Sequence, residues 1–392
     1  MNLILLNLAL ALNNMIETHS FFKNLIKNDI TFFSGVPDSL LKNICACISD
    51  NVDTNNHIIA ANEGNAVALG IGYHLATSKL PLIYMQNSGL GNIVNPLLSL
   101  ADTEVYSIPM LFLIGWRGEP GVHDEPQHKK QGGVTLKMLE VMGIQYKVLG
   151  TDTTDEQAQE VIERESKKSL ETNEPRAIVV KKGTFSDYND KKNNVATYEL
   201  SRKEAIRAII DNLDNDDIIV STTGMASREL FEYREQLKQS HEKDFLTVGG
   251  MGHANHIAMG VALQKSGRKV VCLDGDGACL MHMGSMAING NLDCQNFIHI
   301  VLNNGAHDSV GGQSTVGHYL DFQNIAKACG YDLVLRAETI EEILKNMIKL
   351  KNFDGKVFFE IKLRQGYCKN LGRPTSTPKQ NKLNFIKFLK SK

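Results

Sequence analysis

The sequence reads as an α/β protein, with two doubly wound parallel-sheet domains in tandem. Three observations lead there. Strand-like and helix-like stretches alternate in both halves of the 392 residues, a length too great for one ordinary core and suited to two. The strand stretches are short, continuous apolar runs, as expected where both faces of a sheet are covered. Two successive runs, Lys269–Asp274 and Asn296–Leu302, end in Gly275-Asp276-Gly277 and Asn303-Asn304, with 25 residues (278 to 302) between the motifs.

The first half runs as follows. Met15 opens an amphipathic helix carrying Ile16, Phe21, Phe22, Leu25 and Ile26. Thr31–Phe33 is a short strand leading into Ser34–Pro37, and Asp38 is expected to cap the next helix. His57–Ala61 is a second strand. Glu63–Thr77 is a helix so rich in Gly and Ala that something must pack against it closely. Pro81–Met85 and Met110–Ile114 are further strands, with a helix opening at Gly89 between them. A Gly-rich loop is expected from Gly115 to Gly133. A helical stretch follows Asp155, and Arg176–Val180 closes the half. This gives a first domain at 15–184.

Residues 185–198 are polar and rich in Asn and Lys, and read as a linker. Ser201 and Glu204 form a capping box that starts the second domain, 199–366. Its strands are Asp217–Val220, Phe245–Val248, Lys269–Leu273, Phe297–Leu302, Tyr331–Leu335 and Val357–Ile361. The tail, 367–392, carries Pro374, Pro378 and several lysines, with a short surface helix at Leu383–Leu389. Residues 1–14 are read as a loose extension or the product of an upstream start codon. The apolar run Met1–Leu12 lacks Lys and Arg and is too short for a bilayer, which needs about 20 residues.

A formal net charge of −2 gives no reason to expect nucleic acid or a membrane surface. An anionic substrate must therefore be held by local positive groups. The seven scattered cysteines form no metal-finger spacing and suit a reduced, cytoplasmic protein.

The chemistry concentrates at the paired strand ends. Gly275 and Gly277 let backbone approach a phosphate, and the amides that open the next helix can receive it. Asp276 and the amide oxygen of Asn304 are hard ligands suited to Mg2+ that also holds phosphate oxygens. Glu63, taken alone, is a helix-start Glu favoured by the dipole. The Gly250–Gly252 run lacks the third Gly of a dinucleotide fingerprint, since Asn255 stands there.

The Gly275–Gly277 and Asn303–Asn304 pair resembles the signature of thiamine diphosphate enzymes. That resemblance implies two domains of the thiamine diphosphate-binding fold, with Mg2+ held by Asp276, Asn304 and the carbonyl of Ala306. It makes Glu63 the acid that hydrogen-bonds the aminopyrimidine ring. Met251, in Val248–Ala254, becomes the apolar wedge between the cofactor's rings, and the carbonyl of Gly249 receives the amino group. Gly275, Gly277 and Ala278 would line the diphosphate, and Thr223 and Gly224 resemble another cofactor-lining turn.

Ser34–Ser39, Ala61–Asn65, Gln86–Gly89, Gly115–Gly118 and Asn304–Ser309 narrow the resemblance to the phosphonopyruvate and sulfopyruvate decarboxylases, over about residues 15 to 380. The linker leaves no room for the middle domain of larger relatives. The resemblance implies a small anionic 2-oxo acid substrate that loses CO2, and a homodimer or higher homo-oligomer with active sites between subunits. The fusion of both halves in one chain favours phosphonopyruvate. Its extra anion calls for cations, and Arg117, His123 and His128 are the candidates. Lys129 and Lys130 read as solvated. His307, beside the metal turn, is a candidate proton donor or substrate ligand. Two other readings stand beside this one: an acetolactate-type carboligase, and a non-enzymatic, doubly wound binding module or nucleotide-binding protein.

Overall fold

In the computed structural model, residues 15–189, 198–368 and 370–391 are described. The expected extension at 1–14 and most of the 185–198 linker lie outside them. The chain divides into two compact units, Met1–Asn194 and Val195–Lys392.

The first unit contains α1 (Thr18–Lys27), β1 (Phe33–Gly35), α2 (Lys42–Asn51), β2 (His57–Ile59), α3 (Glu63–Thr77), β3 (Leu82–Gln86) and α4 (Leu90–Pro96). It continues through β4 (Leu111–Gly115), α5 (Pro126–Val141), β5 (Gln145–Leu149), α6 (Asp155–Thr172) and β6 (Arg176–Val180). Its six strands form one sheet in the order β2-β1-β3-β4-β6-β5, and every pairing is parallel. Successive residues of a strand feed opposite cores. Leu111 and Leu113 pack with Phe21, Leu25 and Ile48, whereas Phe112 and Ile114 pack with Ala66, Val67 and Ile93. That two-sided burial is why the strands read as unbroken apolar runs.

The second unit contains α7 (Arg202–Ile210), β7 (Ile218–Ser221), α8 (Met225–Gln236), β8 (Asp244–Leu246), α9 (Ala254–Ala262) and β9 (Val270–Gly275). The short helix α10 (Asp276–Met281), α11 (Gly284–Asn291), β10 (Phe297–Asn303), α12 (Phe322–Cys329) and β11 (Leu333–Ala337) follow. Then come α13 (Ile340–Lys351), β12 (Val357–Lys362) and α14 (Pro378–Lys390). The sheet order is β11-β12-β10-β9-β7-β8, again all parallel. Read from β8, this is the strand order of the first unit. Ser201 caps α7 with Glu204 as the expected box.

Three expectations are corrected. Asp38 caps no helix: α2 starts at Lys42, and the Asp38 carboxylate instead accepts from the amide of Leu40 at 2.9 Å. The expected loop from Gly115 to Gly133 ends at Glu125, because Pro126 suits the first turn of α5. The tail helix is longer than expected and is not only superficial. Asn381 bonds the backbone of β8 through Leu246 N and Asp244 O, and Phe385 is buried against the core. Among the described residues, no helix is long and apolar enough to cross a membrane.

Candidate active site

In each sheet the crossovers leave in opposite directions at one pair of neighbouring strands, β1/β3 in the first unit and β7/β9 in the second. Such switch points open a crevice at the strand carboxyl ends, where α/β proteins bind ligands.

At the β7/β9 point, Gly275 ends β9 in extended conformation and Asp276 begins α10. The Asp276 side chain is fully buried, with the hydroxyl of Thr315 donating to its Oδ2. Burial pushes its carboxyl up to about 6, against the pull of the Thr315 hydroxyl and nearby amides. The loop after β10 closes over it. Asn303 Nδ2 donates to Glu360 Oε1 (2.6 Å) and to the carbonyl of Gly317 (2.7 Å), and its Oδ1 accepts from Gly305 N (3.2 Å). A Cβ at Gly317 would stand 2.5 Å from Asp276 Oδ2, so only glycine fits there.

Thr223, Met251, Gly275, Asp276, Gly277, Ala278, Asn304, Ala306 and His307 line one pocket at this point. Gly224 and Gly249 stand next to it in the chain rather than among its lining residues. Gly224 has φ 92° as it turns β7 into α8, a conformation that favours glycine. His307 lies against Gly277: a Cβ there would be 2.9 Å from His307 Cε1. Desolvation pushes the imidazole down to about 4, so it is neutral at pH 7.

Glu63 lies at the first unit's strand ends. It is the first residue of α3, behind Asn62, whose side chain accepts from Asn65 N. Glu63 is buried, and its Oε2 accepts from Asn92 Nδ2 at 2.7 Å. Its Oε1 faces Gly89, where a Cβ would stand 2.4 Å away. This carboxylate is held by Asn92 of α4 and packs on Gly89 of the turn after β3, rather than pointing to water.

Arg117 follows β4 at the same edge, but its charge is not free. Nε and Nη2 fork onto Asp124 at 2.8 and 2.5 Å, and Nη1 donates to Ser39 Oγ at 2.9 Å. Partial burial raises the Asp124 carboxyl, yet Arg117 and the Gly118 amide hold it down at about 2. His128 belongs to α5 rather than to a loop. Burial and the neighbouring Arg117 push it down to about 4. His123 is exposed in the short loop.

Sequence reasoning missed Thr315, Gly317, Asn92 and the Glu360–Lys362 pair (2.7 Å) that anchors Asn303. All of them reach the site through tertiary contacts that no spacing announces. Cys272 and Asp274 of β9 and His299 of β10 cluster with metal-ligand proximity. His299 Nε2 and Asp274 Oδ2 lie 3.2 Å apart there, a hydrogen-bonded pair inside the core.

Comparison with known proteins agrees with this fold. The profile "Thiamine pyrophosphate enzyme, N-terminal TPP binding domain" matches residues 18–138, and "Thiamine pyrophosphate enzyme, C-terminal TPP binding domain" matches 222–361. A phosphonopyruvate decarboxylase of Streptomyces viridochromogenes is 33% identical over 376 residues, 92% of this chain and 91% of that protein. A sulfopyruvate decarboxylase of Methanosarcina acetivorans is 27% identical, over 84% of this chain and 87% of its own. A sulfopyruvate decarboxylase subunit beta of Methanococcus maripaludis is 31% identical over 49% of this chain and 99% of its own. The Methanosarcina protein carries both halves in one chain, so fusion alone does not favour phosphonopyruvate. By both halves and nearly its whole length, this chain belongs to the thiamine pyrophosphate-dependent decarboxylases, in the group that holds the phosphonopyruvate and sulfopyruvate enzymes.

Proposed function

We propose that this chain decarboxylates 3-phosphonopyruvate to phosphonoacetaldehyde and CO2, with thiamine diphosphate and Mg2+, as a cytoplasmic step of phosphonate biosynthesis. One observation carries the reading: a buried, desolvated carboxylate, Asp276, at the switch point of the second unit, in one pocket with Asn304 and Ala306. A divalent cation beside Asp276 would relieve the burial that raises its carboxyl. The donor set of carboxylate, amide oxygen and carbonyl would suit Mg2+, and with it a diphosphate.

When bound, thiamine diphosphate supplies an electron sink for the pair left behind as CO2 departs. The chain's own residues do the rest. Asp276, Asn304 and the Ala306 carbonyl hold the metal. Thr223, Gly224, Gly275, Gly277 and Ala278 shape the diphosphate side, and Met251 with the Gly249 carbonyl orients the rings. Glu63, fixed by Asn92, holds the proton that sets the pyrimidine tautomer. Neutral His307 offers one N–H and one lone pair to the substrate or product. Arg117 carries five N–H donors, of which three are taken. Two remain for a phosphonate, with His123 and His128 at the same edge.

The reading expects two copies of the chain to build each site. Each unit carries a small-residue apolar surface, exposed among the described residues, that supports this. Helix α3 exposes Ala68, Leu69, Gly72 and Leu75, and α9 and α11 expose Ile257, Gly260, Ala287 and Ile288.

Sulfopyruvate is the second substrate to test, because the Methanosarcina relative spans both halves. The test is aldehyde and CO2 formation from phosphonopyruvate, sulfopyruvate and pyruvate, with and without Mg2+ and thiamine diphosphate. We expect cofactor-dependent turnover highest with phosphonopyruvate. Turnover that ignores both cofactors rejects the proposal, and preference for sulfopyruvate shifts it to the second substrate.

A further inference from the structure

We infer that Asp308 is a positioning residue that turns the side-chain oxygen of Asn304 toward the metal, and that Arg202 holds Asp308 for this task. The inference rests on the thiamine diphosphate reading above. An asparagine amide presents an oxygen at one end and an NH2 at the other, and only the oxygen can ligate Mg2+. Nothing in Asn304 itself chooses between the two.

The choice comes from its neighbours. Asn304 Nδ2 donates to Asp308 Oδ2 at 2.7 Å. A carboxylate beside a guanidinium accepts hydrogen bonds, so the NH2 end must face Asp308 and the oxygen faces the opposite way. The carboxylate is itself fixed by two further donors. Arg202 Nη1 reaches the same Oδ2 at 3.1 Å, and Gly366 N donates to Oδ1 at 3.1 Å. Arg202 is in turn clamped on Glu229, with Nε to Oε2 at 3.0 Å and Nη2 to Oε1 at 3.3 Å. The side chains of Arg202, Asp308 and Glu229 are only 9%, 6% and 2% exposed, so water competes little for these bonds.

Asp308 lies in the same pocket as Asp276 and Asn304. With both its oxygens occupied by protein donors, it supports the metal ligand rather than serving as one. Such outer partners of a metal ligand typically carry 10–100-fold in metal affinity. Glu229 and Arg202 come from α8 and α7, and Gly366 follows β12, so three parts of the unit converge on one amide.

The test is Mn2+ binding in the presence of thiamine diphosphate, read from the EPR signal of the free ion, without turnover. Asp308→Ala should weaken Mn2+ binding about 10–100-fold. Asp308→Asn, which can still present an oxygen to Asn304 Nδ2, should stay within about threefold of wild type. The deciding variant is Asn304→Asp combined with Asp308→Ala. The carboxylate introduced by Asn304→Asp has two equivalent oxygens and needs no orienting, so the double variant should recover most of what Asp308→Ala loses. If Asp308→Ala does not give folded protein by its Tm, Asp308→Ser takes its place. Unchanged Mn2+ affinity in Asp308→Ala, equal losses in Asp308→Ala and Asp308→Asn, or no recovery in the double variant would each overturn the inference. Wild-type protein that binds no Mn2+ under these conditions rejects the thiamine diphosphate reading itself, a distinct result.

Discussion

At the scale of single residues, the two buried acids at the strand ends behave differently. Glu63, the acid of the proposed proton exchange, has one oxygen on Asn92 and the other in the space left by Gly89. Glu63→Gln should leave Mn2+ and cofactor binding intact while slowing proton exchange at the thiazolium C2 by roughly 100-fold or more. Deuterium exchange at C2, followed by NMR, measures this, and an unchanged rate removes Glu63 from the mechanism. Asp38 gives a pH effect. Its Oδ1 has no hydrogen-bond partner among the described residues, and burial pushes its carboxyl up to about 6 from an ordinary 3.8. Between those values the folded protein holds a proton that the unfolded chain does not. Stability from this group is therefore full below about pH 4 and lost as pH rises through 6, about 3 kcal/mol in all. Asp38→Asn should be more stable than wild type at pH 7 by about 1–3 kcal/mol, and the gap should close at pH 4. Urea unfolding at both pH values checks the sign.

At the scale of elements, the glycine at the end of Asn87–Gly89 controls where Glu63 sits. Gly89→Ala places a methyl where the Glu63 carboxylate now lies, so that side chain must swing away from Asn92. C2 exchange should slow as in Glu63→Gln, with Mn2+ binding on the other unit unaffected. Normal exchange in this variant would mean that the Glu63 position is not critical. The same scale shows what could be read from the chain. The buried strands were legible because continuous apolar runs follow from burial on both faces, and the observed ends differ by only a residue or two. Strand β5 was missed because it is an edge strand in which Gln145 and Lys147 are exposed, so its apolar pattern is diluted. The first half of helix α5, up to Gly133, reads as loop because of its glycines. Gly132 serves close packing: a Cβ there would stand 1.7 Å from the carbonyl oxygen of Gly118. In the candidate site, the meeting of Asp276 and Asn304 in one pocket and the place of Glu63 at a strand end were legible from motif and strand-end position. Thr315, Gly317 and Asn92 were not, because their roles arise only when the loops fold back.

At the scale of the whole molecule, the two units share one strand order, and each ends its switch point in a different half of the proposed chemistry. The first brings Glu63 and the second brings Asp276. If two copies build each site, the apolar surfaces of α3 and of α9 and α11 must be covered in the active form. Sedimentation at assay concentration should therefore show a dimer or a higher assembly of dimers. Replacing exposed Leu75 and Ile288 by charged residues should shift it toward monomer and lower turnover together. A fully active monomer would contradict the two-copy reading.

The all-parallel pairing also bears on how the chain acquires its structure. Among the described residues, no two neighbouring strands in either sheet are antiparallel, so no hairpin can nucleate them. Each register closes only after a crossover has been made, which places folding among the slower, non-local cases. The first unit leaves the ribosome while the second is still to be synthesised. At about 5–20 residues per second, the second unit takes on the order of 10–40 s to emerge. The first sheet therefore has that interval to complete its registers before the competing apolar strands of the second arrive, an order of events that disfavours strand exchange between two sheets of identical strand order.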